Sequence, residues 1–168
     1  VVHALTGSAA AAGDWWAPLV GEGRALDTTR VGILCANLLG GRYGSTGPTT
    51  PDPATGTPYG PSFPRLTVRD EARALWALAD RLGIGRFALV TGGSLGGMVA
   101  QEVALERPSS VDHLLPMAAP VATGAMAVAC NHIQLQLLDA LGDRGLELAR
   151  QLAMTTYRSE ADFDGRFG

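Results

Sequence analysis

Charge is scarce in this sequence: Asp, Glu, Lys and Arg together make up 17% of its 168 residues, and the formal net charge is −3. No basic stretch stands out, so a nucleic acid or an anionic membrane surface has no electrostatic support as a partner. Disorder is excluded too, because disordered chains combine high charge with low hydrophobicity, and apolar residues here reach 46%. No apolar run approaches the roughly 20 residues that a membrane-spanning helix needs. No apolar segment flanked by Lys or Arg opens the chain, so no signal peptide is expected. Cysteine is nearly absent. Cys35 and Cys130 sit among apolar neighbours and read as buried free thiols in a reducing cytoplasm. No Cys/His cluster has the spacing of a zinc site. The chain has no internal repeat and no linker dividing two domains.

The length suffices for one domain with a packed core. Val1-Val2-His3 reads as the tail of a strand, and both ends of the chain look cut. Val31–Asn37 is a short continuous apolar run that reads as a buried strand. Residues 38–66 hold most of the Gly and Pro, and a loop this long is usually functional; its Tyr43, Tyr59 and Phe63 argue that it packs. Thr67-x-x-Asp70 is a capping-box pattern opening a helix whose apolar face is Val68, Ala72, Leu75, Ala79 and Leu82, with Gly83 as the stop. Phe87–Val90 is a second buried strand, Met98–Glu106 a helix ending at Pro108, and Val111–Ala118 a third strand. Residues 125–141 and 145–157 read as two helices joined at Gly142–Gly145. Short apolar strands alternating with amphipathic helices predict an α/β fold, with a mostly parallel sheet covered by helices on both faces.

Gly92-Gly93-Ser94-Leu95-Gly96 matches G-x-S-x-G, with a strand before it and a helix after it. That is the setting of a nucleophile elbow, in which a serine sits on a strained turn above the sheet edge. Bare Gly positions are expected there because a Cβ would collide with the neighbouring strand and helix. Attack on an ester or thioester also needs an oxyanion hole. The backbone N–H of Leu95 supplies one donor. The loop His3-Ala4-Leu5-Thr6-Gly7, which follows a strand and precedes the elbow, supplies the second through Leu5. His3 is then a structural residue, since a base placed before the nucleophile would reverse the Ser…Asp/Glu…His order of this fold.

Further blocks carry a more specific resemblance. HALTGS at 3–8, GEGRALDT at 21–28, NLLGGRYGSTGP at 37–48, FPRLTVRD at 63–70, GGSLGGMVAQE at 92–102 and ARQLAMTTYRS at 149–159 resemble the homoserine O-acetyltransferase family, in the family's order and over almost the whole chain. The resemblance implies the central portion of an α/β-hydrolase fold: a partial core over residues 1–124 and the start of a helical lid over 125–168. It also implies ping-pong chemistry. Ser94 takes the acetyl group of acetyl-CoA and passes it to the hydroxyl of L-homoserine, in methionine biosynthesis. Arg150 and Tyr157 match the positions that hold the amino acid, and a guanidinium fork suits its carboxylate. Acetyl-CoA is then a co-substrate, no cofactor or metal is implied, and the complete enzyme is expected to be a cytoplasmic homodimer.

Two departures qualify the resemblance. Arg42 stands where the family most often has Cys, which raises the prospect of an acyl donor bearing a carboxylate. The family's triad acid and histidine lie beyond the lid helices, and neither His113 nor His132 has the context of a base. Three other readings therefore stay open: a homoserine or serine O-succinyltransferase or related acyltransferase, an esterase on the same fold, and a non-catalytic fragment that needs a partner chain. No turnover is expected from these 168 residues alone. Residues 39–46 and Gly21-Glu22-Gly23 fail the phosphate-loop and dinucleotide patterns. Trp15-Trp16 reads as core or lid packing, and Asp139, Asp143 and Glu147 read as a solvated helix face.

Overall fold

The computed structural model describes residues 1–13, 15–41 and 43–168. They form two compact units, Val1–Val121 and Ala122–Gly168.

The first unit is built on a βαβ element. Strand β1 (Phe87–Gly93) pairs in parallel with β2 (Val111–Met117), from Phe87 opposite Val111 to Gly93 opposite Met117. Helix α2 (Leu95–Glu106) makes the crossover that a parallel pair requires, and it packs on both strands. Helix α1 (Val68–Arg81) packs against α2.

The start and stop of α1 follow from its sequence. The Thr67 hydroxyl accepts from Asp70 N–H and the Asp70 carboxylate accepts from Thr67 N–H, which is the reciprocal capping box. At the other end Gly83, with φ +72°, donates to Asp80 O, and Ile84 N–H reaches Ala79 O. That pair of bonds satisfies the last carbonyls of the helix. The buried face is rotated from the expected one. Trp76 is 2% exposed and Leu82 is 56% exposed. Trp76 lies four residues after Ala72 and three before Ala79, and its Nε1–H donates to Val103 O at 2.9 Å, so the largest side chain of α1 is pinned between the helices. Ala72, Ala79, Val99, Ala100 and Val103 complete the centre of the core.

Ion pairs flank this contact. Arg69 reaches Glu102 at 2.9 Å, and Arg73 reaches Glu106 at 3.2 Å. Arg107 holds both Asp80 oxygens while stacking over Trp76. The Arg107 guanidinium keeps the Asp80 carboxyl below its usual range. These pairs are exposed and fix the register of α1 on α2 more than they stabilise it.

Two expectations are corrected. Val31–Asn37 is not a strand: residues 32–38 carry no regular secondary structure and form no ladder. The segment lying between this run and β1 contributes only Val1 and Val2. Val2 makes a single parallel bridge to Gly92, and the Val1 amine donates to Leu34 O. The remaining links are made by side chains: Leu38 N–H donates to His3 Nε2, Ala9 N–H to Asn37 Oδ1, and Cys35 Sγ faces Ser8 O. An open groove of about 970 Å³ is lined by Ile33 and Leu34 on the side of the run and by Phe87 and Leu89 of β1.

The second correction concerns the sheet. Among the described residues it has two strands that pack chiefly on one helix, with Asp112 to Leu115 of β2 exposed, where helices on both faces were expected. Cys35 and Cys130 are free and only half-buried.

The second unit contains α3 (Ala125–Thr156) and α4 (Glu160–Phe167). A single non-helical residue, Gly142 at φ +52°, breaks α3 into two arms at the joint expected from sequence. Gly145 lies so close to Leu137 O and Leu138 that no side chain fits, so the arms fold back on one another. Helix α4 was not anticipated. Its signal is Ser159-x-x-Asp162, where the Ser159 hydroxyl accepts from Asp162 N–H. No helix among the described residues is long and apolar enough to cross a membrane.

Candidate active site

Ser94 stands between the last residue of β1 and the first of α2, as the N-cap of that helix. Its backbone is at φ +54°, ψ −122°, in the left-handed half of conformational space. A serine there carries roughly 1–3 kcal/mol of strain. The surroundings hold it in place. Ser94 N–H donates to Met117 O at the end of β2, and Ser94 O accepts from Gly97 N–H and Met98 N–H in the first turn of α2. The next residue after β2, Ala118, is itself at φ +47°. The side chain makes no capping bond, Ser94 is exposed, and no described residue engages its hydroxyl.

Two donors are free nearby. The N–H of Leu95 is in the first turn of α2, where helix geometry provides no acceptor. Neither it nor the N–H of Leu5 has an acceptor among the described residues. The Leu5 loop is brought to the elbow by Val2 and His3. Val2 N–H donates to Thr91 O at 2.8 Å, and a Cβ on Gly96 would stand 2.6 Å from His3 O and nearer still to Val2 O. Backbone runs against backbone here, so position 96 admits only glycine. The start of α2 adds a field that favours negative charge at this spot.

His3 is 5% exposed. Its Nε2 accepts from Leu38 N–H at 3.1 Å, and Nδ1 lies 2.7 Å from Ala4 O. An amide N–H can only donate and a carbonyl can only accept, so the proton sits on Nδ1 and both ring nitrogens are engaged. His3 ties the loop to Leu38 and has no nitrogen to offer Ser94.

The other expected site residues lie in the second unit. Arg150 is exposed on α3, with no carboxylate partner among the described residues. Tyr157 caps α3 and is 63% exposed. Seven residues apart, the two positions share one side of the helix. Ser94 and Leu95 thus adjoin at the elbow in the first unit, with the backbone leading to Leu5 running against Gly96, and Arg150 and Tyr157 lie in the second. Arg42 lies outside the described residues. His113 is on β2 and lines the groove beside β1, and His132 is on α3.

One neighbour of Ser94 was not anticipated. Trp16 is core, 4% exposed, as expected of the pair, but Trp15 is 62% exposed. Its Cη2 and Cζ3 atoms lie 2.6 and 2.9 Å from where a Cβ of Gly93 would be.

Known proteins share this fold. The model of the α/β hydrolase fold family matches residues 1–160. The homoserine O-acetyltransferase of Moorella thermoacetica is 43% identical over 190 residues, covering 100% of this chain and 51% of that protein. Among solved structures, the homoserine O-acetyltransferase of Bacillus anthracis superposes with a TM-score of 0.90 at 25% identity, covering 98% of this chain and 52% of the other. Esterase E22 superposes with a TM-score of 0.89 at 25% identity, with the same coverage of each chain. The chain spans about half the length of the curated relatives it matches.

Proposed function

Because this chain belongs to the α/β hydrolase fold family, and within it to the homoserine O-acetyltransferase family, we propose that it carries the nucleophile of an enzyme that moves an acetyl group from acetyl-CoA to L-homoserine. The observation that carries the proposal is Ser94. Its hydroxyl sits on a strained strand-to-helix turn, and neither it nor the Leu95 N–H beside it has a partner among the described residues.

In the first half-reaction Ser94 Oγ attacks the thioester carbonyl of acetyl-CoA. A C–O bond forms, the C–S bond breaks, and the serine proton passes through a base to the departing CoA thiolate. The N–H groups of Leu95 and Leu5 stabilise the oxyanion of the tetrahedral intermediate. In the second half-reaction the homoserine hydroxyl attacks the acetyl-serine ester, O-acetylhomoserine leaves, and Ser94 regains its proton. Arg150 pairs with the carboxylate of homoserine through its planar fork, and Tyr157 borders the same site. In this reading the activating acid and histidine belong to the half of the enzyme that this chain does not span. Residues 1–124 then belong to the catalytic core and 125–168 begin its lid.

The likeness to esterase E22 favours a second reading, in which water takes the acyl group. Full-length enzyme mixed with acetyl-CoA, with and without homoserine, separates the two. The transferase reading expects thioester loss to speed up with homoserine and to yield the O-acetyl ester. Thioester loss indifferent to homoserine would end that reading. Ser94→Ala is expected to abolish both reactions.

A further inference from the structure

We propose that Trp15 is the specificity-determining wall for the acyl group on Ser94, and that it confines that group to a short, uncharged acyl chain. The proposal rests on the transferase reading above and narrows its donor.

The elbow pattern leaves the residue before the nucleophile free to vary, and here that residue is Gly93. Its backbone is not left-handed, so conformation does not demand glycine at 93. The space is already taken: the benzene end of Trp15 occupies the place where a side chain at 93 would begin, with Cη2 at 2.6 Å and Cζ3 at 2.9 Å from that Cβ position. The indole stands in for the missing side chain, one residue from Ser94.

The ring is held there. Trp15 meets Trp16 edge to face, with centroids 5.3 Å apart and planes at 81°, and Trp16 is buried at 4% exposure. An aromatic pair of this geometry resists displacement. Yet Trp15 remains 62% exposed, so one surface of a large apolar ring is left open beside a nucleophile.

The chemistry of the reactants decides what rests on that surface. In the acyl-enzyme the carbonyl oxygen turns to the Leu95 and Leu5 N–H groups, and the alkyl end needs an apolar neighbour. Homoserine carries an ammonium and a carboxylate, which an indole edge leaves unsatisfied. The same edge disfavours a succinyl group, whose free carboxylate would lose its hydration there. A rigid ring next to the ester also limits length, since each extra methylene must find room that the ring occupies.

The test uses the full-length enzyme and follows acylation of Ser94, read as the burst of p-nitrophenol from p-nitrophenyl acetate, butyrate and hexanoate and by intact mass. Trp15→Ala is expected to raise the butyrate-to-acetate ratio of acylation rates about tenfold or more, the effect of one or two methylenes in a size-limited pocket. Trp15→Phe, which keeps a ring of smaller reach, is expected to fall between Trp15→Ala and the parent. Gly93→Ala pushes the ring from its seat and is expected to slow acylation by every ester, acetate included. Circular dichroism of each variant separates these effects from unfolding, and Trp15→Phe carries the test if Trp15→Ala does not fold.

An unchanged chain-length profile in folded Trp15 variants would overturn the proposal, as would a variant that widens acceptor choice with acyl choice fixed. Acylation of Ser94 without transfer to homoserine would sink the acceptor reading and leave the Trp15 test standing. Failure of every ester to acylate Ser94 would sink both.

Discussion

Replacing Gly96 by alanine tests the site through its tightest contact. The added Cβ would stand 2.6 Å from His3 O, and nearer to Val2 O. Ordinary C···O contacts are about 3.3 Å or more, so His3 O alone must retreat by about 0.7 Å. Neither carbonyl belongs to a flexible side chain. Val2 is hydrogen-bonded to Thr91 and His3 to Leu38, so the shift propagates into the backbone that leads to Leu5. Overpacking of this kind costs about 1–3 kcal/mol. The catalytic effect should be larger. A misplacement of about 1 Å lowers rates by roughly 10²-fold, and outright loss of one oxyanion donor lowers them by roughly 10²–10³-fold. The assay is the p-nitrophenyl acetate burst of the full-length enzyme together with its thermal melt. Gly85→Ala is the control, since a Cβ at Gly85 meets nothing within 4 Å. Gly96→Ala is expected to fold with reduced stability and to acylate at least about 10²-fold more slowly, with Gly85→Ala at the parent rate. A folded Gly96→Ala enzyme with the parent burst rate would refute the placement of the Leu5 loop as half of an oxyanion hole.

Three further outcomes follow from the same structure. Ser94→Gly removes a residue at φ +54° and should raise stability by about 1 kcal/mol, the strain released less the extra freedom of glycine in the unfolded chain; Ser94→Ala keeps the strain and should not, and paired melts decide. Glu71 is nearly buried and among the described residues accepts only from Leu39 N–H, so burial pushes its carboxyl above the usual range despite that bond. Its neutral form favours the fold, so its contribution is complete below the unfolded value and is lost as pH rises through the raised one. Glu71→Gln keeps an acceptor for Leu39 and should raise the melting temperature at pH 7 but not at pH 4; a gain at both would point elsewhere. Arg150→Ala should raise KM for homoserine about 10- to 100-fold with the acylation burst unchanged, because it removes a charged hydrogen-bond pair to the acceptor alone; a slowed burst would remove Arg150 from that role.

What could be read from the sequence is what local rules govern. Thr67 and Asp70 satisfy one another across a single turn, and Gly83 ends α1, so both limits of that helix are fixed by neighbours in sequence. The elbow is equally local, because a strand, a glycine pair and a helix suffice to place Ser94. Val31–Asn37 failed for the opposite reason. Its residues suit a strand, but a strand exists only through its partners, and Val1 and Val2 are too few to ladder it onto β1. Trp15 packs as hydrophobicity suggests, but its contact with Gly93 was not legible because it depends on which strand end the loop returns to. No periodicity encodes that return. Helix α4 is local as well, since the Ser159 hydroxyl caps it by accepting from Asp162 N–H.

The first unit alone does not distinguish transfer from hydrolysis. A solved homoserine O-acetyltransferase and a solved esterase superpose on this chain almost equally well, so an elbow of this shape serves both chemistries. An acyl-serine has no preference of its own between water and an alcohol; the outcome depends on which one is held at the ester. Water at its bulk concentration prevails unless the acceptor is bound and oriented, an advantage that effective molarities of roughly 10⁵–10⁸ M can supply. The discrimination must therefore come from residues that hold an amino acid rather than from those that make the acyl-enzyme. Under the proposed function those roles fall on different units, with Ser94, Leu5, Leu95 and Trp15 in one and Arg150 and Tyr157 in the other. That separation lets acylation and transfer be broken independently, and it makes the second unit the place where an enzyme of this architecture acquires or loses its acceptor.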